Sequence, residues 1–198
     1  MGGFSRKYQG NVRIDMAKSK EKKTGKEMFY EYYSNLYAER FENLRESLFL
    51  EPDYFEYKYD ENSKSYFLDS GSVLAALSLP LENAENVLDM CAAPGGKTIQ
   101  IANRIPNGVL VSNEYVTSRS QILFSNVERM GLKNVIITNE KPENLAKAYV
   151  NTFDVCLVDA PCSGEGMFRK GEDMANAWNA SLNEMCSKRQ KEILVHAN

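Results

Sequence analysis

Two short stretches hold residues whose types and spacing suit covalent chemistry. DAPCSGEGMFRK (residues 159–170) puts the carboxylate of Asp159 three residues ahead of the thiol of Cys162, in a glycine-rich loop that also holds a proline. A thiolate can add to an electron-poor carbon while a nearby acid handles a proton or orients the reacting group. The second stretch, DMCAAPGGKT (residues 89–98), ends in the GKT of a phosphate-binding loop. That motif requires a glycine five residues before Gly96, where Cys91 stands, and the dinucleotide pattern G-x-G-x-x-G is also absent. What remains is a small-residue loop, Ala92, Ala93, Pro94, Gly95 and Gly96, that lets backbone approach a ligand at a helix N-terminus. Glu114 follows Asp89 by 25 residues, where an acid at a strand end accepts hydrogen bonds from ribose hydroxyls. A ribose-bearing cofactor without a pyrophosphate requirement fits, and S-adenosyl-L-methionine is the candidate. A purely structural turn is the competing reading of this loop.

The elements that must position these residues follow from periodicity. Met28, Phe29, Tyr32, Tyr33, Leu36, Tyr37, Phe41, Leu44 and Leu48 recur at helical spacing, predicting one long helix or two with a bend. Phe55, Tyr57 and Tyr59 alternate before the turn residues 60–63, and residues 65–68 form the return strand of a hairpin. Asp69 or Ser70 caps a short apolar helix closed by Pro80. Strands are then expected at residues 86–89, 108–113, 134–138 and 153–159, with helices at 98–104, 116–130 and 143–149 between them. Ser181 and Glu184 have capping-box spacing and predict a last helix running towards His196. Strands alternating with helices imply a parallel α/β sheet with ligands at the carboxyl ends of its strands.

The 198 residues, 43% hydrophobic, suffice for one buried core with a modest extension. The first 26 residues hold eight basic side chains against Asp15 and Glu21, a net charge of +6, so the remainder carries −9 of the overall −3. This stretch lacks apolar periodicity and reads as a basic arm that either contacts phosphates or is a solvated tail. No apolar run has membrane length, and the N-terminus has no apolar core of a secretory signal, so no membrane partner is expected. Four cysteines without CxxC spacing and a single histidine predict neither a zinc site nor a disulfide framework; a cytoplasmic setting fits. The domain plan is therefore a flexible arm (1–26), an N-terminal extension (27–80) and an α/β domain (81–198).

Taken in order, DMCAAPGGKT, SNEY, TNEKPENLA, VDAPCSGEGMFRK and KRQKEIL resemble the RNA cytosine-5 methyltransferases of the Nol/Nop/Sun family. The GEGMFRK continuation and Trp178 are similar to its RsmF-like branch, which acts on 16S ribosomal RNA in bacteria. FYEYYSNLYAERF and YFLDSGSVLAAL extend the resemblance upstream, so that it covers residues 27–197. It implies a Rossmann-like S-adenosylmethionine-dependent fold with a seven-stranded sheet. RNA is the implied partner, either ribosomal RNA or the small subunit. Cys91, Ala92, Ala93, Pro94, Gly95, Gly96 and Lys97 would embrace the methionine part of the cofactor, Glu114 the ribose, and Asp159 would lie beside the methyl donor and base. The third-strand segment departs from the family's acid near adenine, and Asn139 or Glu140 stands there instead.

Carbon 5 of cytosine is a poor nucleophile until a thiolate adds at carbon 6, after which a base must remove the carbon-5 proton so the thiol can leave. In the resembled family the attacking cysteine lies in a later Thr-Cys pair, and the Pro-Cys residue assists release. No Thr-Cys pair occurs in this chain. The resemblance therefore assigns Cys162 the assisting role and implies that the chain stops before the last strands and does not transfer methyl groups alone. It also implies an exposed fourth strand able to self-associate. Two alternatives stand beside it: a methyltransferase that attacks with Cys162 itself, and a non-catalytic RNA-binding protein that keeps the cofactor fold. Cys91, Cys156 and Cys186 read as packed residues, His196 as structural or exposed, and Arg169 and Lys170 as phosphate contacts or solvated loop residues.

Overall fold

The computed structural model describes residues 23–58, 61 and 64–197. Four parallel strands, β3 (Asn86–Asp89), β4 (Val109–Asn113), β5 (Val135–Thr138) and β6 (Val155–Leu157), form a sheet in the order β5-β4-β3-β6. The expected parallel α/β architecture is met, and β3 and β4 lie in the middle because their side chains are apolar on both faces. On one face Val87 and Leu110 pack with Ile101 and Ala102 of α4 (Gly96–Arg104) and with Ile105 at its C-cap, and Leu123 and Val127 of α5 (Thr117–Arg129) cover Val135 and Ile137 of β5. On the other, Leu88 and Val111 pack with Leu145 of α6 (Pro142–Ala148) and Ile193 of α7 (Ala180–Val195). The switch in strand order falls between β3 and β6, and the loops after β3, β4 and β6 lie around one crevice.

The N-terminal helical pattern resolves into α1 (Gly25–Tyr37) and α2 (Phe41–Phe49), joined by a 3-10 turn at Ala38–Arg40. Helix α1 starts earlier than its apolar pattern suggests. Thr24 accepts from the Glu27 amide, and the Glu27 carboxylate takes the Thr24 amide in return, so the last residues of the basic arm lie inside the helix. Phe29 and Phe41 are buried against Phe168, Ala175 and Trp178 from the segment after β6. The N-terminal extension thus shares its core with that segment, and the aromatic stripe is packing. Strands β1 (Tyr54–Tyr57) and β2 (Tyr66–Asp69) form the expected antiparallel hairpin, although most of its turn lies outside the described residues. Asp69 caps α3 (Ser70–Leu77) by accepting from the Gly71 amide at 3.0 Å, and Arg104 donates to the carbonyls of Ala76 and Leu79 at its other end. No helix among the described residues is long and apolar enough to cross a membrane.

Two further elements differ from the sequence expectation. Strand β6 is three residues long, because the chain leaves the ladder after Leu157 to enter the Asp159 loop. Helix α7 is capped by Asn179, whose side chain accepts from the Leu182 amide at 3.0 Å, and not by Ser181. Ser181 lies inside the first turn and donates its hydroxyl to Asn179 instead.

Candidate functional site

Two clefts meet at Cys91, above the carboxyl ends of β3, β4 and β6. The first, of about 460 Å³, is walled by Asn113, Glu114, Val116, Lys141, Pro161 and His196. The second, of about 550 Å³, runs from the glycine loop past Lys97 and Asp159 to the β1–β2 hairpin and to Arg169 and Lys170. Of the residues singled out from sequence, Glu114 lies in the first cleft, Ala92, Ala93, Pro94, Gly96, Lys97 and Asp159 in the second, and Cys91 in both. Gly95 and Cys162 line neither; Cys162 is exposed, one residue beyond Pro161.

The glycine loop is held rigidly by its own backbone and by α5. The Ala92 amide donates to the Asn113 carbonyl at 2.8 Å, and the Gly95 amide to Ala92 at 2.8 Å. Arg119 donates to the Ala93 carbonyl and Asn126 to that of Pro94, each at 2.7 Å. Gly95 has φ +111°, a left-handed conformation that disfavours side chains, and an added Cβ would stand 3.1 Å from Leu123 Cδ1. Gly96 tolerates a Cβ at ordinary contact distances, 3.5 Å from Leu68. The special glycine of the pair is therefore Gly95.

Beneath the loop lies a buried polar chain. Ser112 donates to Thr98 Oγ1 at 3.3 Å, and Thr98 to Asp89 Oδ2 at 3.0 Å. Asp89 is 1% exposed and its Oδ1 has no hydrogen-bond partner. Burial pushes its pKa up to about 7, against the pull of the Thr98 hydroxyl and the Lys97 charge. Lys97 lines the second cleft with its ammonium already paired. Its ammonium binds Asp159 Oδ2 at 2.7 Å and the Ser72 hydroxyl at 3.1 Å, so it orients the acid and ties it to α3.

Glu114, 4% exposed, accepts from the Val116 amide at 2.9 Å through Oε1. Its Oε2 lies 3.2 Å from Arg119 Nη1, close enough for an ion pair but without hydrogen-bond alignment, and it is left unsatisfied. Arg119 thereby links the glycine loop to the acid of the neighbouring strand. It was not singled out from sequence, although a signal existed. An arginine in the first turn of a helix opposes the helix dipole and needs a local partner. Asn139 serves the backbone, donating to the carbonyls of Glu114 and Tyr115, while Glu140 accepts from Asn144.

The cysteines separate by environment. Burial, with the acids Asp89, Glu114 and Asp159 nearby, pushes the Cys91 thiol up to about 12, and burial pushes Cys156 to about 11. Neither is a ready thiolate. Cys186 is buried in α7. Cys162 is the exposed thiol, and its loop is held from both sides. Gln190 of α7 donates to the Pro161 carbonyl at 3.1 Å. Glu165 accepts from Ser163, from Tyr33 of α1 at 3.0 Å and from Trp178 Nε1 at 3.0 Å. Burial raises the Glu165 pKa, but these hydrogen bonds outweigh it and hold the carboxyl below its ordinary value.

The chain resembles known proteins in sequence and in structure. It is 39% identical over 135 residues to the ribosomal RNA small subunit methyltransferase F of Enterobacter sp. (strain 638), covering 67% of this chain and 28% of that protein. The protein of the same name from Psychromonas ingrahamii is 46% identical over 110 residues, 54% of this chain and 23% of its own length. The chain thus spans roughly a quarter of the length of the curated relatives it matches. In structure it superposes on PH0851 with a TM-score of 0.73 and 20% identity, over 85% of this chain and 48% of that one. It superposes on NSun6 from Pyrococcus horikoshii with SFG with a TM-score of 0.61 and 28% identity, over 69% and 35%. Residues 76–198 match the family model described as 16S rRNA methyltransferase RsmB/F, and the chain belongs to that family.

Proposed function

We propose that this chain forms the cofactor-binding and base-facing part of an enzyme that methylates carbon 5 of cytosine in RNA, with 16S ribosomal RNA as substrate. The observation that carries the reading is the pair of clefts meeting at Cys91, with Glu114 in one and the Lys97-held Asp159 in the other. The residues fit S-adenosylmethionine. Glu114 Oε2 and Asp89 Oδ1 are buried acceptors without hydrogen-bond partners, suited to a ribose hydroxyl and to the donors of an amino-acid moiety. When bound, the cofactor supplies an electrophilic methyl group on a sulfonium. The protein's part is to hold the glycine loop with Arg119 and Asn126 and to keep Asp159 oriented through Lys97. The Pro161 carbonyl is fixed by α7, which presents Cys162 on a supported loop. The target base must leave its stack to reach such a cleft.

Cys162 takes the assisting role in this reading, with the nucleophile in a Thr-Cys pair. Calorimetry tests the cofactor half: the chain binds S-adenosylmethionine, and Glu114→Gln weakens it. Radiolabel transfer tests the rest. The chain joined to a Thr-Cys-bearing segment of a relative labels 16S ribosomal RNA, and Cys162→Ala in that fusion traps a covalent protein–RNA adduct on a denaturing gel. Loss of both label and adduct in Cys162→Ala would instead make Cys162 the nucleophile. Cofactor binding without any transfer would favour a non-catalytic RNA-binding protein.

A further inference from the structure

One face of the β1–β2 hairpin presents two aromatic rings that its packing does not use. Register pairs Tyr54 with Asp69 and Glu56 with Phe67, so Tyr54 and Phe67 are diagonal neighbours on one hairpin face. The opposite face is largely engaged, although Phe55 on it is 56% exposed. Leu68 is buried, Asn103 donates to the Tyr57 hydroxyl at 2.9 Å, and Arg129 lies 5.5 Å over the Tyr66 ring. Tyr54 and Phe67 remain 49% and 62% exposed, and neither ring contacts another among the described residues. Both line the second cleft, together with Asp159.

Charge decides what such a face would receive. In that cleft Lys97 is paired with Asp159, Asp69 caps α3 and Asp89 is buried, whereas Arg169 and Lys170 make no ion pair among the described residues. Two exposed aromatic faces beside two cations without an ion pair among the described residues suit a strand with phosphates and unpaired bases better than an apolar protein surface. A base extruded towards Asp159 also strips its neighbours of a stacking partner, and the rings lie on the wall of the same cleft.

We infer that Tyr54 and Phe67 form a stacking platform for unpaired nucleotides flanking the target base, with Arg169 and Lys170 holding the adjoining phosphates. This rests on the RNA reading above and adds its strand-binding subsite. Base–aromatic stacking tolerates sequence, so the platform selects an unpaired strand over a duplex and leaves the choice of nucleotide to other contacts.

The test is fluorescence anisotropy of this chain with a labelled single-stranded RNA oligonucleotide, alongside a duplex of the same sequence and an abasic strand. Tyr54→Ala and Phe67→Ala should each weaken single-strand binding by about 5- to 100-fold with an unchanged salt slope. Tyr54→Trp should restore binding and Tyr54→Leu should not, which separates stacking from apolar contact. Arg169→Ala and Lys170→Ala should each flatten the log–log salt slope by about 0.7. Equal binding of the abasic strand, or aromatic variants that bind as the wild type does, would overturn the platform. S-adenosylmethionine binding by the same variants distinguishes the two readings. If it persists while the aromatic variants show no RNA defect, the platform alone falls. If the wild type binds RNA through the rings but no cofactor, the methyltransferase reading falls.

Discussion

Asp89 and Gly95 are the residues at which the geometry makes the sharpest demands. Valine at position 95 would have to adopt φ +111° with its Cβ against buried Leu123. Non-glycine residues held in such regions cost of the order of 1–3 kcal/mol. We expect Gly95→Val to abolish S-adenosylmethionine binding in calorimetry and to lower Tm, while Cys91→Ala leaves affinity nearly unchanged because that thiol is packed and protonated. Unchanged affinity in the glycine variant would remove the cofactor from this loop. Asp89 carries a pH signature. Its folded pKa of about 7 lies above its unfolded value, about 3.9, so the native state binds the proton more tightly. Its contribution to stability is complete below about pH 4 and is lost as pH rises through 7. Denaturant titrations of wild type and Asp89→Asn should therefore diverge across this window, with the asparagine variant gaining relative stability as pH rises. Parallel curves would mean that Asp89 is ionised throughout.

At the scale of elements, the Glu165 carboxylate joins three parts of the chain: α1 through Tyr33, its own loop through Ser163, and the segment before α7 through Trp178. Asn183 of α7 extends the network by donating to the Tyr33 hydroxyl at 3.0 Å. Glu165→Ala leaves the Trp178 N–H and the Tyr33 hydroxyl without their acceptor. Stranding a buried donor costs about 1–3 kcal/mol, so thermal unfolding should move down by several degrees. Glu165→Gln keeps one acceptor oxygen and should lose less. Equal loss in the two variants would make the charge, rather than the hydrogen bonds, the stabilising feature. The same network places Cys162 only three residues from a carboxylate anchored to the N-terminal extension. The extension is thus part of what supports the Pro-Cys loop.

For the whole molecule, two expectations concern surfaces. Strand β6 is the edge of the four-stranded sheet; α7 covers one sheet face through Ile193, but no strand among the described residues pairs with its outer side. Unpaired edges invite pairing with another chain, and the three-residue length of β6 limits how much pairing it can offer. We expect weak self-association, visible as a sedimentation coefficient that rises with concentration; a single compact species throughout would show the edge to be protected. The expected basic arm lies almost wholly outside the described residues, apart from its last four, of which Thr24 caps α1. Deleting residues 1–22 spares that cap and removes six basic side chains. If the arm binds RNA, the log–log salt dependence should flatten by about 0.7 for each phosphate that the arm neutralises. An unchanged slope would assign the arm to solvent.

The sequence by itself determined the order of strands and helices from residue 86 onward, because periodicity and glycine turns are local signals that the sheet reinforced. It also determined where the glycine loop and the Pro-Cys loop fall, since both follow strands at recognisable spacings. Capping was less legible. Thr24-x-x-Glu27 and Ser181-x-x-Glu184 have the same spacing, yet only the first forms a box; Asn179, two residues before Ser181, caps α7 first. Tertiary structure alone decided the rest. The sequence names Lys97 but not its partners, Asp159 and Ser72, which the Asp159 loop and α3 bring from distant parts of the chain. Arg119 became a clamp only when α5 came to lie beside the glycine loop. Asp89 read as the end of a strand, and its raised pKa arises from complete burial beneath that loop. Hydrogen-bond partners and desolvation depend on contacts between residues far apart in sequence, and no local pattern records them.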